Sequence, residues 1–178
     1  GTGIYQTNSE GDEDMASEIS KEAKNKELIE RLYVALNKSV LGIMEEFWTE
    51  DMAWYGPAGI GTLRGIKEFE EVLRRPAINA IPDKVARDEI RIAEGDYVAA
   101  HGYQHATHTG DWFGIPASGK AIKLRYMDFW RVEGDKLAEN WVLIDILGFL
   151  EQVGYDIDKV LAFIGSKPPE FFDSMETD

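Results

Sequence analysis

Asp128 is the residue whose type and setting most clearly suggest chemistry. Residues 121–132 alternate with period two, as a strand does. Ile122, Leu124, Tyr126, Asp128, Trp130 and Val132 share one side, and Lys123, Arg125, Met127, Phe129 and Arg131 share the other. A carboxylate among apolar neighbours is costly unless it is hydrogen-bonded. Burial also raises an Asp pKa toward neutrality, where a general acid–base works. The plainer reading of the pattern is an Asp that pairs with a neighbouring element and does no chemistry.

Other chemical candidates gather nearby. Asp145 sits in the apolar run 141–150 and either faces the same space or caps the following helix. The three histidines, His101, His105 and His108, lie within eight residues. His101 and His105 share strand parity, and His108 falls on the other side. That spacing does not set three imidazoles around one ion, so no metal site is expected. His108, beside a Gly- and Pro-containing loop, suits a proton shuttle or oxyanion donor. Trp48, Trp54, Tyr55, Trp112, Phe113, Tyr126, Trp130 and Trp141 are the pocket candidates, suited to a flat apolar or aromatic ligand. Trp112 and Phe113 are expected as lid residues, and Tyr126 as a hydrogen-bond donor to a ligand oxygen.

Composition narrows the field. With no cysteine, thiolate catalysis and Cys-ligated metals are excluded. The balance of 33 acidic to 19 basic residues, net -14, argues against nucleic acid and anionic membranes as partners. No nucleotide-binding glycine fingerprint, phosphate loop or serine elbow occurs. No cofactor is expected. With no membrane-length apolar run and no signal-peptide pattern, the expected compartment is the cytoplasm.

These residues need elements to position them. Residues 1–17 read as a disordered acidic lead, 18–164 as one domain and 165–178 as an acidic tail in which Phe171 and Phe172 stand out. Apolar spacing predicts helices over 18–41, 66–74 and 148–164, the last broken near Gly154. Pro76 and Pro82 bracket an expected loop or broken helix. Strands are expected at 52–55, 84–93, 97–109, 121–132 and 136–146, with tight turns at Glu94-Gly95-Asp96 and Glu133-Gly134-Asp135. The last strand is apolar on both faces and should be covered on both sides.

The run His108-Thr109-Gly110-Asp111-Trp112-Phe113-Gly114-Ile115-Pro116-Ala117-Ser118-Gly119-Lys120 resembles a segment of the SnoaL-like polyketide cyclase (ester cyclase) family. Asp128–Val132, Gly134–Trp141, Trp54–Gly59 and Ile81-Pro82-Asp83 are similar to further family landmarks, over roughly residues 25–155. The resemblance implies the nuclear-transport-factor-2-like fold. That is an α+β, cystatin-like barrel, a curved antiparallel sheet wrapped by N-terminal helices into a cone with the ligand inside. It also implies a homo-oligomer, often a dimer built on sheet faces. Characterised cyclases of the family close a ring of an aromatic polyketide methyl ester by intramolecular aldol condensation without metal or cofactor. Their acid–base Asp matches Asp128, and their His matches His108. Asn140 departs from the pattern, standing where many members carry a histidine.

The expected function is therefore cofactor-free acid–base chemistry on a small apolar or aromatic carbonyl compound. Two alternatives stay open: a non-catalytic binder of a small hydrophobic ligand, and a dehydratase or epoxide hydrolase. A binder would tie up the Asp128 carboxylate with hydrogen bonds. An epoxide hydrolase needs Arg beside the carboxylate, and Arg125 has the wrong parity.

Overall fold

The computed structural model describes residues 19–167; the expected lead, and the tail from residue 168 with Phe171 and Phe172, lie outside the described residues. Helix α1 (Lys21–Leu36) starts at Ser20, whose Oγ accepts from the Ala23 N–H at 3.1 Å. Its apolar side buries Leu28, Ile29, Leu32 and Tyr33. The helix ends earlier than expected, because the Asn37 side chain turns away to the backbone of Ala86. It donates to the Ala86 carbonyl at 3.2 Å and accepts from the Ala86 N–H at 2.8 Å.

After a 3-10 turn (Met44–Glu46) come β1 (Trp48–Tyr55), β2 (Thr62–Arg64) and a long helical passage. This passage is α2 (Gly65–Glu68), a π-helical turn (Phe69–Arg74) and α3 (Arg75–Ala80). The expected break at Pro76 does not occur. Pro76 occupies the first turn of α3, where a missing N–H is tolerated. Then follow β3 (Val85–Glu94), β4 (Tyr97–Thr107), β5 (Ala121–Glu133), β6 (Lys136–Ile144), α4 (Ile146–Gln152) and α5 (Ile157–Gly165). Gly95 and Gly134 take positive φ in the two expected tight turns.

The strands form one six-stranded sheet in the order β2-β1-β6-β5-β4-β3. Here the expected antiparallel cone is corrected. The sheet is mixed, because β1 lies parallel to β6. It is also open: β2, three residues long, forms one edge and β3 the other, so no hydrogen bonding joins the ends.

One face of the sheet carries the core. Along β5 every even residue from Ile122 to Val132 is buried, while the odd residues face outward. α1 lies over the inner side of β3 and β4. The expectation that β6 is covered on both sides also fails. Trp141 and Leu143 point to the outer face, where no layer among the described residues covers them, and Leu143 is 67% exposed. A register shift between Asp88 and Ile90 bends β3. Before it Ala86 and Asp88 face inward; after it Arg91 does, and Ile90 and Ile92 turn out.

Gly102 makes this corner possible. A methyl group there would lie 2.1 Å from the Arg87 carbonyl oxygen and 2.5 Å from the Tyr126 hydroxyl. We expect Gly102→Ala to cost about 1–3 kcal/mol by overpacking. Denaturant unfolding checks this; a variant as stable as the parent would show that the β3–β4 pair yields easily.

Candidate functional site

Asp128 points from β5 onto the inner face and is only 7% exposed. Asn140, opposite Trp130 on β6, reaches it. The Asn140 amide donates to Asp128 Oδ1 at 3.0 Å and to the Phe129 carbonyl at 3.1 Å. Among the described residues Oδ2 has no protein hydrogen bond. Burial pushes the carboxyl up to about 7, the Asp88 charge adds to the rise, and the Asn140 bond opposes it.

Asp128 opens onto a cavity of about 110 Å³. Trp48, Trp54, Trp112, Tyr126 and Trp130 line it, with Leu32, Tyr33 and Leu36 of α1 as its roof. Four of the five tryptophans thus face one space. The Trp48 Nε1–H is buried without a partner, and the Gln104 side chain, also in the wall, makes no protein hydrogen bond among the described residues.

Beside Asp128 runs a hydroxyl chain. Tyr126 donates to Asp88 Oδ1 at 2.6 Å, and Arg91 Nε donates to Asp88 Oδ2 at 2.6 Å. Tyr33 interacts in turn with the Tyr126 hydroxyl. Burial, then the nearby carboxylates, push both tyrosines well above their ordinary pKa. Tyr126 therefore spends its proton on Asp88 instead of offering it to a ligand.

His108 is brought close but not into the cavity. It lies just beyond β4, fully buried, edge-on to Phe149 at 5.1 Å. Its Nδ1 accepts from the Ser118 N–H at 3.3 Å and contacts Ser118 Oγ at 3.0 Å, which puts the ring proton on Nε2. Nε2 has no partner among the described residues. The ring thus ties together both ends of the loop that carries Trp112.

Four expected pocket residues sit elsewhere. Tyr55 and Trp141 stack at 5.3 Å on the outer face, and Tyr55 donates to Glu139 at 3.0 Å. Phe113 stacks on the outside of Trp112 at 4.5 Å, in a turn where it takes φ 51°. Asp145 caps α4, accepting from the Gly148 N–H at 2.9 Å. His101 and His105 share the outer face of β4, as their parity implies. Among the described residues no group of three or more His, Asp or Glu side chains is placed to hold a metal ion, and no helix is long and apolar enough to cross a membrane.

The family model of the SnoaL-like polyketide cyclases matches residues 27–153. The chain belongs to this family, within the nuclear-transport-factor-2-like superfamily. No curated protein matches it in sequence. Solved structures agree in fold. A Jannaschia sp. CCS1 protein assigned as a SnoaL-like polyketide cyclase matches with TM-score 0.69 at 17% identity, covering 78% of this chain and 98% of its own. AclR from Streptomyces galilaeus, assigned as a hydroxylase, gives 0.67 at 23% identity over 75% and 98%. IdmH from Streptomyces antibioticus, assigned as a polyketide cyclase, gives 0.65 at 23% identity over 74% and 99%. At these identities the likeness establishes the fold; different assigned reactions share it.

In this SnoaL-like chain several site residues escape sequence reading. Asp88, Tyr33 and Gln104 carried no local signal. Glu70 and Arg74 did, being four apart on a helix: Arg74 Nη1 donates to Glu70 at 2.7 Å and Nη2 to the Val40 carbonyl at 2.8 Å. Lys84 lines the cavity beside Arg74. Its parity with Ala86 was the available clue.

The raised pKa fixes a pH signature. A carboxyl at about 7 in the fold and 3.8 ordinarily stabilises the fold fully below pH 4. That contribution is lost as pH rises through 7. Asp128→Asn removes the buried charge, so its stability relative to the parent should grow by about 2–4 kcal/mol between pH 4 and pH 8. Urea unfolding at both pH values measures this; an unchanged difference would contradict a buried, reluctant carboxylate.

Proposed function

We propose that this SnoaL-like protein is an enzyme in which Asp128 performs acid–base catalysis on a small apolar or aromatic carbonyl substrate, as in an intramolecular aldol ring closure. One observation carries the reading: Asp128 lines a tryptophan-rich cavity, keeps one oxygen free of protein partners among the described residues, and is pushed by burial up to about 7. A non-catalytic binder predicted a carboxylate tied up at both oxygens.

In the proposed reaction, Asp128 Oδ2 removes a proton from the carbon beside the substrate carbonyl. The enolate carbon bonds to a second carbonyl carbon of the same molecule. The resulting alkoxide recovers the proton from Asp128, so acid and base are one group and the balance closes. The enolate oxygen needs a donor, and Trp48 Nε1–H and the Gln104 amide are unclaimed. His108 enters as a positioning residue, holding the Trp112 loop against the cavity. Enclosure keeps the two reacting carbons together and water out. The reaction combines proton transfer with one carbon–carbon bond formation at the expense of a carbonyl π bond, with no net oxidation or reduction, and calls for no cofactor.

The reading also includes a homodimer formed through the outer sheet face. Ile90, Met127 and Leu143 form one row across the strands; Ile92, Phe129 and Trp141 form the next. Ile92, Phe129 and Leu143 are 63%, 55% and 67% exposed. Apolar rows of that kind suit a second, identical face. Phe129→Asp with Leu143→Asp should convert a dimer to a monomer in sedimentation; an unaltered mass would exclude this face.

Turnover tests the chemistry. On an aromatic polyketide ester substrate, Asp128→Asn should lower kcat by about 10²–10⁴ with the fold intact. Asp128 must start deprotonated, so kcat/KM should fall about tenfold per unit as pH drops below about 7. Undiminished turnover by the variant would leave a ligand-binding protein.

A further inference from the structure

The cavity wall holds two cations, Arg74 and Lys84, in a protein of net charge -14. Arg74, itself buried, is neutralised by the partly buried Glu70. Lys84 is not. Among the described residues its ammonium makes no hydrogen bond or ion pair. The carboxylates around it are already engaged. Asp83 accepts from the Thr107 N–H at 2.8 Å and the Thr107 hydroxyl at 2.7 Å. Glu70 holds Arg74 and the Gly42 N–H. Asp88 holds Tyr126 and Arg91. Asp128 lies far along the sheet: it pairs with Ala100, whereas Val85, next to Lys84, pairs with His105. Five residues of strand separate those positions, roughly 15 Å.

A half-buried cation without a counter-ion is costly unless something supplies one. We propose that Lys84 is the oxyanion-binding group of the cavity. The ligand then carries a carboxylate, or an ionised enol or phenol, at the end remote from Asp128. Burial, and then the Arg74 charge, push the Lys84 ammonium down to about 8, so it is still mainly charged at neutral pH. Tyr126 and Gln104, at strand levels between those of Asp128 and Lys84, line the stretch between the two ends. The substrate class is thus an elongated, largely apolar molecule with a reactive carbon at one end and an oxyanion at the other. This inference rests on the cavity being the ligand site.

Calorimetric titration with cinnamate and its neutral isostere cinnamamide tests it at pH 7. The parent should bind cinnamate at least tenfold more tightly than cinnamamide. Lys84→Met should remove that preference while leaving cinnamamide affinity within twofold. Lys84→Arg should retain it. The methionine variant relieves a buried charge and should melt no lower than the parent, so lost binding would not reflect misfolding. Equal binding of the two probes, or an undisturbed preference in Lys84→Met, overturns the oxyanion site and leaves the cavity reading standing. Failure of both probes to bind overturns the cavity reading and this inference together.

Discussion

A carboxylate kept out of water, with a single neutral donor among the described residues, is the constraint around which this structure is arranged. Three influences set the state of Asp128. Burial raises its pKa most, the Asp88 charge adds to that, and the Asn140 amide pulls back. The donor's neutrality decides the balance. A cationic partner would favour the charged form by Coulomb attraction as well as by hydrogen bonding, and would hold the carboxyl near or below its ordinary value. Asn140 supplies only the bond, and spends its second hydrogen on the Phe129 carbonyl. The acid therefore titrates near pH 7 instead of being fixed as a carboxylate. An asparagine at this position thus has an electrostatic consequence at Asp128.

The open sheet divides its two faces between different tasks. The inner face is covered by α1 and by the passage through the π-helical turn, so enclosure comes from helices packed on strands and not from a sheet closed on itself. The π-helical turn also places Arg74 at the cavity wall and lets it reach the Val40 carbonyl. Among the described residues the outer face has no covering layer, and it carries apolar rows in register across β3, β5 and β6. Both faces are apolar, and Asp128, with Asn140 as its donor, lies on the inner one.

Local alternation made part of this legible. On β5 the period is unbroken, so Asp128, Tyr126 and Trp130 were assigned to the buried side correctly from sequence. Histidine parity on β4 was equally readable. Legibility failed where the outcome depends on pairing between strands. Trp141 and Tyr55 look like pocket residues, but they stack because β6 pairs with β1 in a register that sets both outward. The mixed sheet is a second such case, since parallel pairing of β1 with β6 is a long-range choice that no local pattern records. The bulge in β3 is the third. Without it, Lys84, Ala86, Asp88, Ile90 and Ile92 would share a face, and the isoleucines would mask the lysine as an ordinary charged flank. The extra residue turns the isoleucines out and leaves Lys84 and Asp88 facing in.

Lys84 and Asp128 have opposite charges and share one cavity, yet they do not satisfy each other. With their strand positions roughly 15 Å apart and an effective dielectric constant of about 20, the attraction across that span is on the order of 1 kcal/mol. That is small beside the several kcal/mol that taking a single ion out of water can cost. Each therefore keeps most of its desolvation cost, and each responds by shifting toward its neutral form, the acid upward and the base downward. Moving them together would quench both shifts in a salt bridge. Their separation along the strands is what preserves two shifted groups in one apolar space, the two ends that the proposed reaction would use. A molecule that supplies an oxyanion at one end and an acidic carbon at the other meets both demands at once.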